Sequence, residues 1–336
     1  MNQTQCIDAE AFVLDTKFNI IRGLLMIFCT IIFILLLRII WYYKTNAVKL
    51  HTNLIILISN VLFLYAIYAL TFMVEAVINF IVLFTYSNPC DCLTQVWLVY
   101  LIRMPEYIYY LGSPLFHFAI MIERVLATVY VKIYEKQGKL FGVISTIIVW
   151  LLNLMFGLYI YITTQMDTDT FGHPMVYLIL TTKYNSQILI YLNYIFLFLV
   201  ICVAIADYYL IVRNRKIKLN FFNSTTNYSL SKSYQSKQNI LLMRIIFPLD
   251  FSYSFVFALF NALANFLRYN RDEYGPLVYV RTYEGITLLL LIHAIITLIV
   301  YNYFLKKQNE IKTNFVKINM NISSEIYFKN LNLSWK

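Results

Sequence analysis

Ile122-Glu123-Arg124-Val125-Leu126-Ala127-Thr128 closes an apolar run that begins near Trp97, and it opens onto a charged loop containing Tyr134-Glu135. About 20 apolar residues cross a ~30 Å hydrocarbon core. A run of that length, ended at once by a Glu-Arg pair, therefore reads as a membrane helix meeting water at its end. Working outward in both directions, the same pattern recurs seven times, at 19–43, 52–84, 96–122, 140–163, 185–212, 240–267 and 281–305. The second of these exceeds what a bilayer needs, so it is expected to tilt or project beyond the lipid. The reading is an all-α, seven-transmembrane helix bundle (19–305) with a short N-terminal segment (1–18) and a tail (306–336).

Composition excludes the soluble alternatives. Of the 336 residues 60% are hydrophobic and only 13% charged, against about 25% charged in soluble domains, and the mean hydropathy is +0.66. Tyr (29) and Phe (26) are abundant, as in helices that carry aromatic girdles at the headgroup level. The first eighteen residues include Asp8, Glu10 and Asp15 and lack the basic start and small-residue cleavage site of a signal peptide. The first span is therefore expected to stay in the mature protein.

The basic residues orient the bundle. Segments 44–51, 123–139, 213–238 and 306–336 hold 18 of the 27 Lys and Arg. The positive-inside bias makes these four cytoplasmic, with the N-terminus outside and the C-terminus inside. The net charge of +10 is thus a topology signal that also favours anionic membrane lipid. Spread over four short segments, it does not describe a nucleic-acid-binding surface. Cys29 and Cys202 lie in apolar runs, whereas Cys6, Cys90 and Cys92 face the oxidising side. Any bridge there joins Cys6 to Cys90 or to Cys92, and would pin the N-terminal segment over the extracellular opening.

Two motifs carry a family resemblance. One is Glu123-Arg124-x-x-Ala127-Thr128 with Tyr134-Glu135; the other runs from Tyr228 through Tyr234, Gln235 and Asn239 to Arg244. Together they resemble the nematode serpentine chemoreceptors of the Sra superfamily, most closely the epsilon class. There, a similar segment ends helix three and another opens helix six. Ser233 and Gln238 stand where that class usually has Arg and Glu. The resemblance implies a G-protein-coupled chemosensory receptor with a small-molecule or pheromone-like ligand, residing in the plasma membrane of a sensory cilium. It also implies that Glu123, Arg124, Ala127, Thr128, Tyr134, Tyr234, Gln235 and Asn239 serve coupling to a heterotrimeric G protein.

Physical chemistry marks a second region. Arg103 lies twenty residues, or about 30 Å, before Glu123, at the outer end of the third span, and Glu106 follows at pairing distance along the helix. Glu75 reaches the same level on the second span, and Tyr107 and Tyr110 extend the surface inward. Polar groups with aromatic walls are what a small-ligand pocket needs, although a structural salt bridge fits the pattern too. His293, near the centre of the seventh span, is either a ligand contact or bonded to a neighbouring helix. Asp250, after Pro248, binds a cation, changes protonation, or is capped near the inner surface. His117 reads as packing. HExxH, Walker A and GxSxG motifs are absent, so neither an enzyme nor a cofactor is expected. A seven-span ligand-gated cation channel of the insect odorant receptor type is the alternative, distinguished by its opposite topology. A transporter is disfavoured because no inverted repeat of broken helices is evident.

Overall fold

The computed structural model describes residues 3–45, 50–130, 134, 138–223 and 230–334, with side chains described outside 217–247, 271–272 and 308–334. Eight long helices carry the fold: α1 (Gln3–Leu14), α2 (Thr16–Thr45), α3 (Thr52–Thr85), α4 (Val96–Val129), α5 (Leu140–Gln165), α6 (Ser186–Asn223), α7 (Leu230–Tyr269) and α8 (Arg271–Ser334). Helices α2 to α8 correspond in order to the seven apolar runs. Among the described residues, six of them contain a stretch long and apolar enough to cross a bilayer on composition alone; the exception is α4.

Its position explains the exception. Helix α4 packs against α3, α5, α6 and α7, while the outer ring closes through α2 on α3, α6 on α7, α7 on α8 and α8 on α2. A helix surrounded by others turns its polar residues toward protein, where partners exist, and not toward lipid. Arg103, Glu106, His117, Glu123 and Arg124 are all buried on α4. Peripheral helices show the reverse, with Leu154, Met155 and Phe198 turned to the lipid side. Trp97, Phe84 and Tyr269 at one end, and Trp41 and Tyr303 at the other, are exposed as girdles.

Local sequence sets several helix ends. Asp15 caps α2, its Oδ1 accepting from the Phe18 amide at 2.6 Å. Chain direction changes before the seventh span at Gly275 (φ 72°), a left-handed conformation that glycine adopts without strain. Pro276 then opens the helix proper. Close packing at the other end depends on Gly142, whose amide donates to Asn53 Oδ1 at 3.0 Å. A Cβ there would lie 2.9 Å from the Asn53 Cα and 3.0 Å from its carbonyl oxygen. Gly142→Ala is therefore expected to destabilise the bundle by about 1–3 kcal/mol, measured as a lower thermal unfolding midpoint of the purified protein.

Most of the N-terminal segment is the helix α1. It is held by tertiary contacts: Ala9, Phe12 and Val13 are buried against Phe18, Leu267, Tyr279 and Val280 at the mouth of the bundle. A Cys6–Cys90 disulfide ties it to the turn after α3, while Cys92 stays free and buried. Arg281 Nη1 donates to Asp15 Oδ2 at 2.8 Å. The bridge marks this as the oxidising side, in agreement with the charge bias, and it is called the outer end below. Replacing Cys6 and Cys90 together by Ser should release α1, so that limited proteolysis cuts residues 3–14 first. The bundle itself should lose roughly 2 kcal/mol, the low end for a disulfide, because helices already inserted in lipid restrict the unfolded chain.

Candidate ligand site and inner switch

Arg103 is the centre of the outer site. Its Nη1 donates to Glu106 Oε2 at 3.0 Å, one turn along α4. Its Nη2 donates to Glu75 Oε1 of α3 at 2.6 Å and to Glu284 Oε1 of α8. One guanidinium thus ties three helices through three carboxylates, all of them buried. Tyr110 donates to Glu106 Oε1 at 3.0 Å and receives a bond from Tyr283 at 3.2 Å, while its ring stacks on Phe260. Arg22 of α2 lies over the Phe18 ring at 3.6 Å and is 1% exposed, with Nε and Nη2 lacking a hydrogen-bond partner. It faces Glu284 and Glu75 electrostatically.

Above this network lies a cavity of about 30 Å³ lined by Arg103, Glu106, Tyr107, Tyr279, Val280, Tyr283 and the segment Leu178–Thr181. That is room for about one water. Its roof is the outer loop, held where Thr94 and Met175 exchange backbone bonds at 2.9 and 2.8 Å and where the Tyr107 and Thr181 hydroxyls meet at 3.2 Å. Phe12 of α1 touches Tyr177 edge-on beside it.

Of the residues expected here, Glu75, Arg103, Glu106, Tyr107 and Tyr110 are brought together. His293 is not. Nine residues inward of Glu284, or about 13 Å along the helix, its Nε2 meets Ser252 Oγ at 3.0 Å. It therefore belongs to a different, deeper cluster, bonded to a neighbouring helix as one of the two readings had it. His117, read as packing, is bonded instead: its Nδ1 lies 2.7 Å from Asp250 Oδ1, and its ring stacks on Tyr253 at 4.0 Å. Burial requires each ring nitrogen to seek a partner, and Asp250 supplies one. Asp250 is accordingly a buried interhelical partner and not a residue capped at the inner surface. The sequence reading missed Glu284 and Arg22. Glu284 carries the signal that singled out Glu75, a lone carboxylate inside an apolar run.

At the inner end Glu123 and Arg124 pair side by side, with exposures of 0% and 2%. The Tyr134 hydroxyl reaches Glu123 Oε1 and lies 2.7 Å from His51 Nδ1, the residue that caps α3. Burial, and then the Glu123 charge, push the Tyr134 phenol up; burial lowers the His51 imidazole. Tyr134 is thus a neutral donor that holds the loop against the ion pair. Ala127 and Thr128 are buried against α6, whose Asn214 Nδ2 donates to Thr128 Oγ1 at 3.5 Å. Glu135 lies outside the described residues, as do the side chains of Tyr234, Gln235 and Asn239 on the first turns of α7.

A family profile described as "Serpentine type 7TM GPCR receptor class ab chemoreceptor" matches residues 12–336. The chain belongs to this family. No curated protein gives a significant match. The profile makes this serpentine receptor a multi-pass membrane protein of the chemosensory G-protein-coupled kind, and nothing favours the channel alternative. The class it names is ab, whereas the two loop motifs resemble the epsilon class; thirty residues of motif weigh less than a match along nearly the whole chain.

Proposed function

We propose that this chemoreceptor binds a small-molecule or pheromone-like ligand at its outer end, beneath the loop 178–181, and passes the signal to a heterotrimeric G protein at Glu123 and Arg124. The observation that carries the reading is Arg103 with its three carboxylates. A network tying α3, α4 and α8 directly under a tyrosine-walled cavity is a place where binding can bias the packing of three helices at once. Glu75, Arg103, Glu106, Tyr107 and Tyr110 are its proposed contacts, to which Glu284 and Tyr283 are added. The cavity has room for about one water, so a larger ligand must displace the outer loop on entry, a loop rearrangement common to regulatory binding sites.

The coupling role of Glu123, Arg124, Ala127, Thr128 and Tyr134, and with them Tyr234, Gln235 and Asn239, is supported by the likeness of both loop motifs to the epsilon class. Burial of the ion pair at the inner end of the central helix supports it as well. Residence in the plasma membrane of a sensory cilium follows from the same likeness. The deciding experiment is a small-molecule screen read by second messenger in cells expressing this chain. An activator is expected whose potency falls about tenfold or more, ~1.4 kcal/mol, on Tyr107→Phe with Tyr283→Phe at unchanged surface density. An activator indifferent to both substitutions would move the ligand site elsewhere.

A further inference from the structure

Two buried carboxyls face each other in the middle of the bundle, across the contact between α6 and α7. Asp207 of α6 is 0% exposed and Asp250 of α7 is 3% exposed, on two helices packed along this level, and each carboxyl faces the other electrostatically. Both oxygens of Asp207 and the Oδ2 of Asp250 have no donor. Among the described residues no lysine or arginine forms an ion pair with either one. The groups that face the pair are His117 of α4, on Asp250 Oδ1, Tyr253 of α7, stacked on His117, and Tyr65 of α3, which shares a cavity wall with Asp250. Beyond Tyr253 lies His293 of α8. The helix register agrees: Ser254, one turn outward from Asp250, donates to the Val200 carbonyl, two turns outward from Asp207. A cavity of about 70 Å³ reaches from Leu50 and Phe304 at the inner end to His117, Asp250 and Tyr65.

We propose that Asp207 and Asp250 share one proton, that this proton holds α6 against α7, and that ligand-free signalling by this receptor therefore responds to pH on the inner side. Two carboxyls in contact and out of water cannot both ionise, so the packed state keeps a proton between them. When α6 and α7 part, water reaches the pair and the O–H bond breaks, leaving two carboxylates and delivering the proton to water through the inner cavity. Above about pH 7, where a hydrated His117 is also neutral, the packed state thus binds one more proton than the parted state. Linkage gives the sign: acid favours packing, and rising pH favours parting. His117 accepts or donates on the far side of Asp250 and orients its carboxyl. Through His117 the pair touches α4, the helix that carries Glu123 and Arg124 at its inner end.

The test uses membranes carrying the full chain and a heterotrimeric G protein, with ligand-free nucleotide exchange measured from about pH 6 to about pH 8.5, where one released proton shifts the balance by at most about tenfold per unit. Exchange is expected to rise with pH in the wild type, and to stay low and flat in Asp207→Asn, whose amide replaces the shared proton with a permanent hydrogen bond. Identical profiles for the two overturn the proposal. So does a wild-type profile that follows sodium replacement by choline at fixed pH, since a metal cation would then be the bridge. If Asp207→Asn does not reach the membrane, infrared spectra of the purified wild type decide: a protonated carboxylic C=O band that vanishes as pH rises supports the pair, and its absence overturns it.

Discussion

Arg103→Gln should remove the receptor from the cell surface. The guanidinium is bonded to Glu75, Glu106 and Glu284 at once, and a glutamine in its place leaves three buried carboxyls without their cation. Breaking one buried ion pair by deleting a partner costs about 3–5 kcal/mol, which is a large part of the 5–15 kcal/mol by which folded proteins are stable. The measurement is antibody labelling of intact cells against total expression. Because the loss comes from uncompensated charge, Arg103→Gln combined with Glu75→Gln and Glu284→Gln should return protein to the surface. That rescued receptor separates structure from recognition. If the network also orients ligand, it stays silent to an activator of the wild type; if it responds normally, the network is a strut and the ligand lies elsewhere. Arg103→Gln alone at normal density and potency would remove both roles.

Arg124→Ala should leave the receptor at the surface and silence it. Glu123 keeps the Tyr134 hydroxyl, and one ion pair is broken where Arg103→Gln breaks three, so the structural cost is smaller than at Arg103. Signalling is expected to fall at least about tenfold, the ~1.4 kcal/mol that sits at the low end of typical coupling free energies. Ligand affinity should change much less, since Arg124 lies 21 residues, about 31 Å, from Arg103 along α4. Linkage requires some change, because any substitution that alters the inactive–active balance alters apparent affinity in the same sense. Radioligand displacement beside a second-messenger assay checks both parts. Normal signalling would reduce the Glu-Arg pair to an anchor at the membrane surface.

The seven crossings were legible because a bilayer imposes one solution on the backbone: each span must satisfy its own hydrogen bonds as a helix of near-constant length. Even α4, too polar to be recognised by composition alone, was legible from its length and from the Glu-Arg pair that ends it. The outer cluster was legible in part, since an ionisable residue in hydrocarbon must have a reason to be there. That logic found Glu75, Arg103 and Glu106 and passed over Glu284, flanked by Tyr283 and Gly285 at the edge of the last span, where a residue could as well have faced water.

What the sequence determined by itself is the helical bundle, its number of crossings and its orientation, all consequences of one-dimensional pattern: apolar length, and basic residues between the runs. Tertiary structure alone decided which polar residues meet. Spacing along a helix relates Arg103 to Glu106 but carries no register between helices, so only packing shows Glu75, Arg103 and Glu284 on one guanidinium and sends His293 to a different layer. The same holds for α1, whose residues are too weakly amphipathic to announce a helix until Cys90 and the mouth of the bundle hold it, and for His117, which packing against Asp250 changed from a filler of space into a partner.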